Sequence, residues 1–467
     1  MLDRRRFSGL VGSVLAGGLL PGTGVGAWSG GSPVLPGGGT GRATASVRPA
    51  PGGAPPPSDL RVDPDRLIGL LNGLAHFGGT PDGGTHRVAF GDADLEARAW
   101  VVGRMEEAGL EVTVDAAGNL LGRREGRDPG LPPLMLGSHI DSVPHGGRYD
   151  GPVGSMAALE IALTLRDAGH ATRHPLEFVI WENEEGGKTG SRAVSGEVEP
   201  SEMELPTASG FTIGEGIRRV GGDPDRIGEV SRAAGSLASY LELHVEQGAV
   251  LERADVDIGV VEGIVGIERW TATVEGFANH AGTTPMDQRR DALVAAARMV
   301  EIVDAVARET PGRQVATVGR IAVEPGAPNV VPGRVTFSVE VRDLDMGKIE
   351  RVFETIRDRS RVAAAETGTD VSFERFYVSR AAPTDPRLRD VIEDEAGRLG
   401  LSTLRMPSGA GHDAQSIALL APVGMIFVPS EGGISHSPLE RTAPEDVVAG
   451  ADVLLRTLTR LDEEGGP

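Results

Sequence analysis

Apolar positions in the first third of the chain recur at helical spacing and then at strand spacing. Leu67, Ile68, Leu70, Leu71 and Leu74 fall on one side of a helix over 63–77, and Leu95, Trp100, Val101 and Met105 repeat the pattern over 92–108. The run 110–115 alternates as a strand, 134–136 reads as a short buried strand, 154–168 as a helix and 176–181 as a wholly apolar strand. Strands alternating with helices predict an α/β layer structure. Near Gly263 the character changes. Residues 267–274 alternate as a half-exposed strand, 289–309 form an amphipathic helix, 314–323 and 334–343 are strands, 346–366 a helix and 370–377 a strand. The order β-α-β-β-α-β is that of a ferredoxin-like α+β module. The segments 387–400, 423–428 and 444–461 then return the chain to the first domain. The organisation expected is an α/β domain over 59–263 and 381–467, with the second module inserted over 264–380. No internal repeat is evident.

The N-terminus stands apart from this pattern. Arg4, Arg5, Arg6 and Phe7 resemble a twin-arginine export signature, and the Gly-rich apolar stretch to Leu20 is too short and broken to span a membrane. Candidate cleavage positions follow Ala27 and Ala45. Residues 1–27 are expected to be a signal segment read by the twin-arginine export machinery, which places the mature protein in a periplasm or outside the cell. Residues 28–58, dominated by Gly and Pro, are expected to be a disordered linker. The chain has no cysteine, so oxidising surroundings change nothing in it. A formal charge of −21 excludes a nucleic-acid partner, which needs a basic stripe.

Candidate chemistry collects just after core strands. The loop from Gly137 to Gly151 places His139, Asp141, His145 and Asp150 among glycines beyond the run 134–136. Imidazole nitrogen with carboxylate oxygen suits Zn²⁺, with Mn²⁺ or Co²⁺ as alternatives. The strand 176–181 discharges Glu182, Glu184 and Glu185 into a glycine turn, where one glutamate can hold a metal and another can act as a general base. On the strand from Leu241, His244 and Glu246 share a face. Another small-residue loop, running from Gly432 to Glu440 after the apolar strand 423–428, supplies His436.

Taken in order, these blocks resemble the metal-dependent aminoacylase and carboxypeptidase family. Gly-Ser-His-Ile-Asp-Ser, Tyr-Asp-Gly, Asn-Glu-Glu-Gly, Leu-His-Val-Glu-Gln-Gly, Asn-His-Ala-Gly-Thr-Thr-Pro-Met and Ser-His-Ser-Pro are specific to its hydantoinase/carbamoylase branch, and the likeness runs from about Asp63 to Leu461. The branch comprises N-carbamoyl-L-amino acid hydrolases, β-ureidopropionases and allantoate amidohydrolases. The resemblance implies a mixed-sheet hydrolase domain with two divalent metal ions, zinc first, and an inserted lid and dimerisation domain. Asp150 would bridge the ions, one held by His139 and His244 and the other by Glu185 and His436. Asp141 would steady His139 without ligating, and Glu184 would serve as the general base.

The same resemblance gives the inserted module a part in catalysis. His280 would reach the active site of a partner subunit in a homodimer and stabilise the oxyanion. Asn329 and Arg342 would hold the substrate carboxylate, and Gln247, Gly411 and His412, with Asp413 beside them, would complete the pocket. The reaction implied is cleavage of a linear C–N amide bond in N-carbamoyl-L-amino acids or related ureido acids, allantoate-like compounds included, by water activated at the metals. An N-acyl amino acid or dipeptide hydrolase with the same machinery is the alternative. A non-catalytic small-molecule-binding protein is a further one, disfavoured because binding has no use for Glu184. One departure is visible: many relatives continue Glu-Glu-Gly with an Arg-Phe pair and a longer spacer, whereas this chain reads Gly186, Gly187, Lys188, Thr189, Gly190. That bears on the substrate side-chain pocket rather than on the metal ligands.

Overall fold

A computed structural model describes residues 60–464, so the expected export signal and linker lie outside the described residues. Strands β1 (Glu111–Val114), β2 (Leu120–Arg124), β3 (Leu134–His139), β4 (Leu176–Trp181), β5 (Ser239–Val245) and β6 (Ile258–Ile264) open a large sheet. The chain then leaves it for β7 (Gly266–Glu275), β8 (Asn279–His280), β9 (Val315–Thr317), β10 (Ile321–Glu324), β11 (Val330–Val331), β12 (Arg334–Asp343) and β13 (Asp370–Ser379). It returns through β14 (Ala382–Pro383), β15 (Thr403–Ser408) and β16 (Val423–Val428).

The large sheet has nine strands in the order β1-β2-β4-β3-β5-β16-β6-β14, with β15 beside β6. Its centre, β4-β3-β5-β16, is parallel throughout, whereas β1, β2 and β14 pair antiparallel. Every residue of those four central strands is buried, which explains the apolar runs 134–136, 178–181 and 423–428. Alternate side chains serve different cores. Leu134, Leu136, Leu241 and Leu243 join the helices Pro64–Leu74, Pro152–Asp167 and Pro444–Glu464 in one cluster. Met135, Tyr240, Met425 and Phe427 join Leu251, Ile417 and Leu420 in another.

The smaller sheet runs β10-β12-β7-β13, with β9 beside β12, and all its pairings are antiparallel. Strand β7 alternates buried and half-buried positions, as the period-2 pattern predicts. Trp270, Ala272 and Val274 pack with the helices Ala292–Glu309 and Met346–Thr367, and Trp270 stacks on Phe353 at 3.7 Å between ring centroids. The connectivity is β-α-β-β-α-β. The single strand expected over 314–323 is divided into β9 and β10, which pair with successive stretches of β12 on either side of Gly319. The helix expected from Arg289 begins at Ala292, because Asp291 caps it by accepting from the amides of Leu293 and Val294.

Close approach of helix and sheet behind the strand ends requires glycine. The helix Pro152–Asp167 crosses β5 so tightly that a Cβ at Gly154 would run into the carbonyl oxygen of Leu243. One turn earlier Gly151 has φ +80°, and a Cβ there would meet the imidazole of His139. Gly154→Ala is expected to destabilise the fold by about 2–3 kcal/mol through overpacking, read as a lower thermal midpoint. An unchanged melting curve would mean that the helix can draw back from β5.

Candidate active site

Neighbouring parallel strands discharge their loops at the same edge of the sheet, where open α/β sheets place their sites. His139 ends β3, and Asp141 and Asp150 lie in the loop beyond it; Glu184 and Glu185 follow β4, His244 lies in β5, Gln247 follows it, and His436 follows β16. Because the strands stand in the order β4-β3-β5-β16, these loops meet at one cleft of about 240 Å³. Asp150, Glu184, Glu185, His244, Gln247 and His436 line it, with Gly411 and His412 from the loop after β15 and Tyr377 and Ser379 from β13 of the smaller sheet.

Asp150 stands at the centre of the polar groups. Its Oδ1 lies 3.2 Å from His244 Nε2 and 3.6 Å from His139 Nε2, while Oδ2 lies 3.3 Å from His436 Nε2. His436 Nε2 is also 3.5 Å from Glu185 Oε1. Two sets of converging donor atoms therefore share this residue: His139, Asp150 and His244, and Asp150, Glu185 and His436. Burial opposes charge on Asp150, but His244, His139 and His436 outweigh it and hold the carboxyl well below its usual range. Gln247 Nε2 donates to Oδ2, and Ser435 Oγ donates to the same oxygen at 3.0 Å. The backbone is fixed as well, since Glu440 Oε1 accepts from the amides of Tyr149 at 2.8 Å and Asp150 at 3.1 Å.

The imidazoles are oriented from behind. His139 Nδ1 donates to Asp141 O at 3.0 Å and His244 Nδ1 to Val245 O at 2.9 Å, which leaves each Nε2 aimed at Asp150. The Asp141 carboxylate lies 3.5 Å from His139 Nδ1 through Oδ1, and it also accepts from the amides of Glu184 at 3.2 Å and Glu185 at 3.1 Å. It thus joins the first loop to the second. Burial pushes Glu184 up to about 8, with His139 opposing and Asp413 adding to the rise. Burial followed by Asp150 and Glu184 pushes Glu185 up to about 8 as well.

The three carboxylates after β4 have different positions. Glu182 does not line the cleft; both it and Arg98 are buried and form an ion pair. His412 lies beneath the cleft with its ring centroid 4.5 Å from that of His244 and its Nε2 2.8 Å from Ser408 Oγ. Asp413, also buried, accepts from Ser191 Oγ at 2.5 Å. Of the remaining loop members, His145 is exposed and faces His86, at 5.0 Å between ring centroids.

His280, Asn329 and Arg342 do not line this cleft. His280 lies on β8, which pairs with β11 as a two-stranded ribbon with Val330 opposite His280. Asn329 accompanies it, its carbonyl accepting from the Ala281 amide at 3.0 Å, and both residues are exposed. His280 Nδ1 accepts from the amides of Gly282 at 3.0 Å and Thr283 at 3.2 Å. The ring proton of the neutral imidazole is therefore on Nε2, facing outward as a donor. Arg342 donates to Glu340 Oε1 at 2.7 Å and to Gly409 O at 2.7 Å, which ties β12 to the loop carrying Gly411 and His412.

The sequence reading passed over several supporting groups. Glu440 and Ser435 lay within the glycine loop that was read only for its histidine. Glu242 accepts from Ser138 Oγ at 2.9 Å, Tyr240 Oη at 3.1 Å and the Ala414 amide at 3.2 Å, binding β3, β5 and the loop after β15 together under the site. A charged residue between Leu241 and Leu243 in β5 is the available signal for it.

Imidazoles and carboxylates converging at the carboxyl edge of such a sheet, His139, Asp150 and His244 buried and His436 exposed at the rim, are the donor set of a metal-dependent hydrolase. The chain belongs to peptidase family M20/M25/M40, whose family model matches residues 135–460. An N-carbamoyl-L-amino acid amidohydrolase of Geobacillus stearothermophilus is 40% identical over 405 residues, which are 86% of this chain and 99% of that protein. The allantoate amidohydrolase of Bacillus subtilis is 33% identical over 401 residues, 85% of this chain and 97% of its own. Among solved structures, an amidase of the hydantoinase/carbamoylase family from Burkholderia multivorans is similar with a TM-score of 0.80 at 38% identity, covering 86% of this chain and 98% of that one. The family expected from the motifs is thus the family found.

Glu182 and Glu184 are separable by experiment. Glu182→Ala leaves the guanidinium of Arg98 buried without its carboxylate and is expected to destabilise the protein by about 3–5 kcal/mol, measured by denaturant unfolding. Glu184→Gln is expected to unfold within about 1 kcal/mol of the wild type, as neutralising a carboxyl already disfavoured by burial does little to packing. Equal destabilisation by the two changes would contradict the separation.

Proposed function

We propose that this enzyme hydrolyses the linear C–N bond of N-carbamoyl-L-amino acids or closely related ureido acids, allantoate-like compounds included. The observation that carries the reading is Asp150, whose oxygens face His139 and His244 on one side and His436 on the other, beside Glu184 in the same cleft. The full-length likeness to enzymes named for that reaction supports it.

The residues fit a pair of divalent ions. Buried His244 Nε2 makes no hydrogen bond of normal geometry yet lies 3.2 Å from Asp150 Oδ1, as two ligand atoms of one ion would, and the donor atoms are nitrogen and oxygen throughout. His139 and His244 would hold one ion, Glu185 and His436 the other, and Asp150 both, with zinc the ion proposed. Bound there, the ions polarise the scissile carbonyl and make water a nucleophile at neutral pH.

This chain's own groups do the rest. Glu184 takes a proton from the attacking water and delivers it to the departing nitrogen, as the C–N bond breaks. Asp141 keeps Glu184 at its post through the backbone amide and keeps His139 in place. Gln247, Gly411 and His412 wall the cleft. Among described residues, His280 supplies an outward N–H suited to an oxyanion, and it would act in the cleft of a second copy of this chain. Asn329, on the same ribbon, and Arg342 would hold the substrate carboxylate. The likeness of Arg4, Arg5, Arg6 and Phe7 to a twin-arginine signature supports the reading that the enzyme is exported.

Metal-loaded protein is expected to release ammonia and CO₂ from N-carbamoyl-L-amino acids, and Glu184→Gln to lower kcat by about 10²–10⁴-fold with its metal content intact. Incubation with N-carbamoyl, ureido, N-acetyl and dipeptide substrates tests both. Brisk dipeptide cleavage with no turnover of any ureido compound would overturn the reading.

A further inference from the structure

The cleft opens beside a larger cavity of about 660 Å³, lined by Lys188, Arg192, Glu197, Tyr377, Arg380 and Gln415 among others. Lys188, Tyr377, Ser379 and Gln415 line both spaces, so they stand where one passes into the other. A substrate with its carbonyl beside Asp150 and Glu184 has this junction ahead of it.

The three Lys and Arg side chains here are not equivalent. Arg192 is paired with Glu202 at 2.6 Å, and Arg380 lies 3.4 Å from Glu197. Lys188 makes no ion pair among the described residues. Its Nζ donates to the neutral amide oxygen of Gln415, and two of its three N–H groups have no partner. Gln415 is itself held in place, its Nε2 donating to Arg380 O and, at 3.2 Å, to Ser379 Oγ. The ammonium also sits against the cleft wall, since a Cβ at Gly411 would lie 3.4 Å from Nζ. The backbone that presents it is left-handed, with φ +58° at Lys188, and the amide of Lys188 closes the glutamate turn on Glu184 O at 2.9 Å. Glu184, Asp413 and Glu197 favour the charge through space, but among the described residues no carboxylate pairs with it directly, so the open N–H groups of this largely buried ammonium suit an anion. Such a group in an enzyme cleft acts as a specificity contact.

We infer that the larger cavity receives the substrate side chain and that Lys188 recognises a carboxylate on it, so that the preferred substrates are ureido acids with an acidic side chain. The inference rests on the proposed reaction for its choice of substrates.

The test compares N-carbamoyl-L-glutamate with N-carbamoyl-L-glutamine, equal in shape and different in charge, on metal-loaded full-length enzyme. The wild type is expected to favour the glutamate compound in kcat/KM by about 10- to 100-fold, the scale of one charge-assisted hydrogen bond. Lys188→Met should erase most of that preference while leaving the glutamine compound within about threefold, and Lys188→Arg should restore part of it. A wild type that does not discriminate, or one that prefers the glutamine compound, overturns the inference even if no variant folds. Equal loss on both compounds in Lys188→Met would put the ammonium on the carboxylate common to both, and also overturns it. If the wild type cleaves neither compound, the proposed reaction fails separately. Calorimetric binding of the same pair then decides: tighter binding of the glutamate compound upholds the role of Lys188, and equal or weaker binding overturns it.

Discussion

Three imidazoles and a glutamate face the single buried carboxylate of Asp150, and most of what surrounds it serves to keep that carboxylate in place. Glu440 fixes its backbone, Ser435 and Gln247 fix one of its oxygens, and β3, β5 and β16 bring the histidines to it. A charge so deeply placed is tolerable only with partners on each side. Gly151, immediately after it, lets the imidazole of His139 come close, and Gly154 lets the helix Pro152–Asp167 pack against β5, which carries His244. Polar support therefore extends well below the cleft. Glu242 ties β3, β5 and the loop after β15 together, and Asp141 ties the first loop to the glutamate turn.

How much of this could be read beforehand follows from the physics of each element. The central strands were legible because burial on both faces favours apolar residues, with the few polar ones, such as Glu242 and His244, each given a partner, and their ends were legible because glycines, histidines and carboxylates follow at once. The small sheet was legible for the opposite reason, as one solvated face imposes alternation. Strands β2, β6 and β15 gave weaker signals. Residues of β2 include Gly122, Arg123 and Arg124, β6 carries Gly259 and Gly263, and β15 contains Pro407, where its register with β6 shifts. Their pairing is dictated by neighbours far away in sequence rather than by local pattern.

At the site, the residue types were legible and their ranking was not. Glu182, Glu184 and Glu185 look alike in a turn, yet one is committed to Arg98 while the other two border the cleft. Glu440 carries no sequence mark of its role, because a carboxylate that accepts backbone amides looks the same in sequence as a solvated one. In the sequence Lys188 is only one member of a shortened spacer. Its meaning depends on Gln415 and Gly411, which reach it from another loop. His280 and Asn329 share a ribbon because β8 and β11 pair, a contact between segments some fifty residues apart.

The proposed sharing of Asp150 by two ions is open to direct measurement. Elemental analysis of wild type and Asp150→Ala, both checked for native circular dichroism, reports the ions held per chain. About two divalent ions per wild-type chain and loss of both in the variant are expected, because each set of donors loses its common oxygen ligand. A variant that keeps its full metal content, or a wild type that binds one ion at saturation, would contradict the shared carboxylate.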